Sequence, residues 1–81
     1  MPEINALQKR QALRKIAEVE GFSTVTEMLE HAISECVSPG FCTNPDCGQV
    51  TSNHEPDATE NYCEHCGENT VVAAPVLAGI I

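Results

Sequence analysis

Four of the five cysteines fall into two spaced pairs. Cys42-x4-Cys47 is followed, after 15 residues, by Cys63-x2-Cys66, and a glycine trails each pair, Gly48 and Gly67. The thiolate is the metal-binding form of cysteine, and two facing pairs supply four soft donors at the corners of a tetrahedron, which suits zinc. In such a knuckle the chain turns tightly enough for backbone N–H groups to point at sulfur. A residue that takes positive φ without steric cost suits the position after the second cysteine. With all four positions filled by Cys42, Cys47, Cys63 and Cys66, no coordination site is left for water or substrate, so the spacing predicts one structural Zn2+. Iron is the weaker alternative. Rubredoxin-type iron sites use the same thiolates but two-residue spacers in both pairs, and the spacer Thr43-Asn44-Pro45-Asp46 departs from that. Two disulfides are a further alternative. A redox-active Cys63-Glu64-His65-Cys66 has less support, because no βαβ pattern surrounds it.

The remaining residues with chemical potential read more plainly. Cys36 follows Leu29, Ala32 and Ile33 at helical spacing, which makes it a small apolar residue at the end of a buried stripe rather than a fifth ligand. His54 and His65 are expected as exposed polar side chains beside a completed ligand set, and His31 on the polar side of a helix. Lys9, Arg10, Arg14 and Lys15 supply every positive side chain in the sequence. Spread around one helix that also carries Glu18 and Glu20, they read as a solvated face. No carboxylate pair, phosphate-binding glycine loop or Ser/His/Asp arrangement stands out, so no catalytic residue is assigned and no enzyme is expected.

Composition bounds the compartment and the partners. An 81-residue chain makes only a marginal apolar core and usually needs a staple. The odd cysteine count and the absence of an apolar stretch after Met1 point to a cytoplasmic protein with reduced thiols. The net charge is −8, and residues 41–81 hold six acids with no Lys or Arg. Phosphate backbones are bound through Lys and Arg, so that half is a poor nucleic-acid face.

The elements that must position the cysteines follow from periodicity. Residues 3–20 read as a helix, with Ile4, Leu7, Leu13, Ile16 and Ala17 on one face and Gly21 suited to its left-handed end. Thr24-Val25-Thr26-Glu27 is a capping box opening a second helix, whose stripe is Val25, Met28, Leu29, Ala32, Ile33 and Cys36. Ser38-Pro39-Gly40 is expected to end it. The short link at Gly21 implies an antiparallel helical hairpin. Residues 41–70 are too poor in large aliphatics to fold by themselves, and metal binding removes the difficulty, since its free energy becomes folding free energy.

The cysteine pattern resembles a zinc ribbon, which implies three short antiparallel strands, placed at residues 49–53, 60–62 and 70–74, with residues 54–58 as the turn between the first two. Gly21-Phe22, Cys42…Cys47-Gly48, Glu55-Pro56-Asp57, Tyr62-Cys63-Glu64-His65-Cys66-Gly67, Asn69-Thr70-Val71 and Val76-Leu77-Ala78-Gly79-Ile80 together resemble a family of small, uncharacterised zinc-ribbon proteins of bacteria and their phages. The resemblance covers roughly residues 21–81 and implies no activity.

The reading is therefore a small α+β metal-binding protein: a helical hairpin over residues 1–38, then a four-cysteine zinc ribbon over 39–81 with an apolar C-terminal strand or tail. The last 11 residues carry no polar side chain, about half the ~20 residues needed to span a bilayer. Val71 and Val72 are expected to complete the sheet, Pro75 to end the ladder, and Val76, Leu77, Ile80 and Ile81 to dock on the helices. The rival is a patch kept open for a partner or for self-association. The expected function is a zinc-bound, non-enzymatic protein-interaction or regulatory module whose protein partner the sequence does not name. The alternative is a nucleic-acid-binding or transcription-associated ribbon, including one whose acidic surface mimics DNA.

Overall fold

The computed structural model describes residues 5–44 and 46–80. The elements run α1 (Ala6–Glu20), α2 (Val25–Glu35), β1 (Ser38–Cys42), β2 (Val50–His54), β3 (Val71–Ala73) and α3 (Ala74–Leu77). Helix α1 begins where a side chain can replace the missing backbone partners. Asn5 accepts from the Gln8 N–H at 2.8 Å, and the Gln8 side chain accepts from the Asn5 N–H at 2.9 Å, a full capping box. The helix ends at Gly21 in the left-handed conformation, as expected. Thr24 caps α2 by accepting from the Glu27 N–H at 3.1 Å, the one bond of the predicted box that forms. Ile4 lies outside the described residues.

The sheet departs from the expected one. Its order is β2-β1-β3, antiparallel throughout, and its central strand lies outside the three expected ranges. Ser38-Pro39-Gly40, expected to end α2, does not: the helix stops at Glu35 with Cys36 as its cap, and Ser38-Pro39-Gly40 starts β1. The register against β2 shifts between Ser38 and Gly40, which is where a proline can sit in a strand, since its missing N–H interrupts the ladder. Gly40 is fixed by space. A Cβ there would lie 2.6 Å from Val71 Cγ1 and 2.8 Å from His54 Cδ2. Strands β2 and β3 fall within a residue or so of the first and third predicted ranges. Residues 60–62, expected as a full strand, contribute only the bridge between Asn61 and Val71, because the chain turns into the second cysteine pair at Cys63. The turn at residues 54–58 is present, closed from the Ala58 N–H to the Glu55 carbonyl at 3.0 Å. It leads from β2 to that bridge rather than to a partner strand of β2.

One apolar cluster joins the helices to the sheet and to α3: Ala12, Ile16 and Ala17 from α1, Met28 from α2, Val72 from β3, and Ala74 and Leu77 from α3. Leu13, Val25 and Leu29 pack against it, but Leu7 and Ile33 are exposed. These two ends of the predicted stripe overhang a core that covers only the middle of each helix. Cys36 is exposed too, against expectation. It caps α2 with φ 57°, a left-handed turn that carries it off the buried face. The tail docks in part. Val71 and Val72 are buried in β3, Pro75 sits buried in the first turn of α3 where its missing N–H costs nothing, and Leu77 is buried with Val76 half-buried beside it. Ile80 is exposed at 53%, and Ile81 lies outside the described residues. Among the described residues no helix is long and apolar enough to cross a membrane.

Candidate metal centre

Strand β1 delivers Cys42 at its last residue, buried, with its N–H on the Gln49 carbonyl at 2.9 Å. The loop beyond it folds on Asn44, whose side chain accepts from the Asp46 N–H and whose carbonyl accepts from the N–H groups of Cys47 and Gly48. Pro45 lies outside the described residues. The second turn is closed from Cys63 to the Glu68 carbonyl at 2.8 Å and from Gly67 back to the Cys63 carbonyl at 2.8 Å. Gly48 and Gly67 have φ of 63° and 77°, the left-handed geometry that the trailing glycines predicted. It brings the next amide round to sulfur, so that the Gln49 N–H bonds to Cys47 and the Glu68 N–H to Cys66.

All four predicted ligands converge. The sulfurs of Cys42, Cys47, Cys63 and Cys66 lie within 4.8 Å of one another. Two contacts cross between the pairs: Cys42 to Cys66 at 3.7 Å and Cys47 to Cys63 at 3.6 Å. A disulfide would need sulfurs at ~2.05 Å. A tetrahedron with Zn–S bonds of ~2.3 Å has edges of ~3.8 Å. The spacing therefore fits one ion coordinated by four thiolates.

The electrostatics fit the same group. The Glu68 N–H, first among the causes, brings the Cys66 thiol down to about 7. At Cys47 the Gln49 N–H also acts downward, but burial and the three neighbouring thiols outweigh it and push the value up to about 12. Of these two, the Cys66 thiol gives up its proton more readily, and the Cys47 thiol, held back by burial and its sulfur neighbours, resists. A divalent cation removes that resistance, which is how metal binding expels thiol protons.

Two contributors were not legible in sequence. Thr70 Oγ1 lies 3.0 Å from Cys42 Sγ, placed to donate to a thiolate, while the Thr70 carbonyl accepts from both the N–H and the hydroxyl of Thr43 at 2.8 Å. The only signal was a hydroxyl at the edge of an apolar run. Lys15, read as part of a solvated face, donates to the Gly48 carbonyl at 2.7 Å from 33 positions away. Lys9, Arg10 and Arg14 are exposed, as expected.

The histidines stay out of the cluster. His65 is exposed. His31 is exposed and meets the Phe22 ring at 5.4 Å. His54 is less solvated than expected. Its Nε2 is 2.6 Å from Thr51 Oγ1 and its Nδ1 is 2.9 Å from Asn61 Nδ2, and burial lowers its pKa below 6.5.

No family model, curated protein or solved structure matches this chain. The four cysteines lie close enough together to bind a metal ion, and no family is assigned.

Proposed function

We propose that the chain is a small zinc protein in which Cys42, Cys47, Cys63 and Cys66 hold one structural Zn2+, and that the stapled fold acts as a non-enzymatic protein-interaction or regulatory module. The observation that carries the metal assignment is the four-sulfur cluster with edges of 3.6 and 3.7 Å. Amide and hydroxyl donors aimed at sulfur make it a complete thiolate site, with no ligand position open for a reaction. The interaction role is supported by six large apolar side chains left exposed among the described residues: Leu7, Val19, Ile33, Val37, Tyr62 and Ile80. A nucleic-acid face has less support, since every Lys and Arg sits on α1 and Lys15 is engaged with the knuckle.

Elemental analysis of the purified protein is expected to give about one zinc per chain, and Cys63→Ser to lose most of it, because a hydroxyl cannot replace a thiolate at this affinity. Iron at the same stoichiometry would correct the ion and keep the site; no metal in the wild-type protein would sink the reading. Affinity capture with zinc-loaded protein, using Cys63→Ser as the control, tests the interaction role. A partner retained equally by both forms would detach that role from the metal.

A further inference from the structure

Four thiolates around a divalent cation leave a net charge of −2, and the half of the chain that carries them has six acids and no Lys or Arg. Compensation must come from elsewhere. Lys15 of α1 reaches the site. Its ammonium is 2.7 Å from the Gly48 carbonyl oxygen and 5.9 Å from the centroid of Phe41, the residue before Cys42. The Phe41 ring also lies against Gly48, where a Cβ would be 3.8 Å from Cζ. The Gly48 carbonyl and the Gln49 N–H belong to one peptide unit, and that N–H is the donor to Cys47 sulfur. A cation on the oxygen polarises the unit and strengthens the N–H as a donor, as in any hydrogen-bonded chain.

We infer that Lys15 is a positioning residue of the metal centre: through the Gly48–Gln49 peptide it places a positive charge in series with the Cys47 thiolate and thereby raises the affinity of the site for its ion. Lys15 does not touch the ion. This rests on the zinc-site reading and extends it from the ribbon half to the helix.

The test is a competition titration of the zinc-loaded full chain against a chromophoric chelator, for wild type, Lys15→Met, Lys15→Arg and Arg14→Met. Lys15→Met keeps the aliphatic stem and removes the charge and the donor. At low salt it is expected to release zinc about tenfold more readily, the lower end for residues behind metal ligands, and the gap should narrow at ~0.5 M salt as screening grows. Lys15→Arg should recover most of the loss. Arg14→Met removes the same charge one residue away, without a bond to the knuckle, and should stay within about twofold of wild type. The Gln49 amide proton resonance should move upfield in Lys15→Met alone. A purely packing role would leave Lys15→Met at the wild-type affinity and Gln49 unshifted, and that result overturns the inference. So does an Arg14→Met loss as large as that of Lys15→Met. If the wild-type chain binds no zinc, the metal reading fails first and takes this one with it.

Discussion

At the scale of single residues, the four cysteine sulfurs lie within 4.8 Å of one another, with Thr70 beside Cys42 and Lys15 on the turn after Cys47. Cysteine spacing and trailing glycines are local signals, so Cys42, Cys47, Cys63, Cys66 and the positive φ at Gly48 and Gly67 followed from neighbours in the chain. Thr70 and Lys15 act through contacts 28 and 33 positions distant, which no local pattern encodes. His54 is similar. Its surroundings come from Thr51, Asn61 and the packing above Gly40. Burial holds its pKa below 6.5, with the Glu64 carboxylate acting weakly in the other direction. The folded state therefore prefers the neutral ring, and the unfolded chain takes up the proton first as pH falls. The His54 contribution to stability is in place above ~6.5 and is lost as pH drops through the lowered value. Thermal melts of the zinc-loaded protein between pH 7.5 and 5.5 should show a steeper loss for wild type than for His54→Gln. Parallel curves would mean that the ring gains nothing from staying neutral. Protonation of the thiolates affects both proteins alike, so the difference between them isolates His54.

At the scale of elements, helices were the legible part. Both read clearly because periodicity over 11 to 15 residues averages out single errors. Strand β1 was missed because Ser38-Pro39-Gly40 is turn vocabulary, and only tertiary contact makes it a strand: Gly40 admits Val71 and His54 where any side chain would exclude them. The short helix α3 was hidden in a run with no polar period. Its packing separates Leu77, 5% exposed, from Ile80, 53% exposed. Leu77→Ala should cost about 2–4 kcal/mol, as for other buried leucines. For a domain of this size that lowers the melting temperature by ~10 °C or more. Zinc should stay bound, since the knuckles lie at the other end of β3. Ile80→Ala should leave the melt nearly unchanged. Equal effects would show that the tail is not seated as described, and a change in self-association on Ile80→Ala would mark that residue as part of an interface.

At the scale of the whole molecule, β1 and β3 are shared between the apolar core and the sulfur cluster. Phe41 of β1 packs against the helical core and Cys42 enters the sulfur cluster, while Val71 and Val72 of β3 divide in the same way between the two clusters. Stripping the metal should therefore loosen more than the knuckles. A strong chelator is expected to lower the melting temperature of the entire chain and to raise amide exchange in α1 and α2 as well as around the cysteines. Exchange confined to residues 42–70, with the helices unaffected, would mean that the helical part folds without the staple.

The register of β3 carries a kinetic consequence. Val71 pairs with Cys42, so without the ion β1 and β3 must meet by closing a loop of roughly 29 residues. Once the sulfurs are gathered, Cys66 is already beside Cys42, and roughly five residues separate it from Val71. Closing the shorter loop saves about 1.5 kcal/mol of chain entropy. Ion capture would then come before strand pairing, and refolding would speed up with free zinc concentration until another step sets the rate.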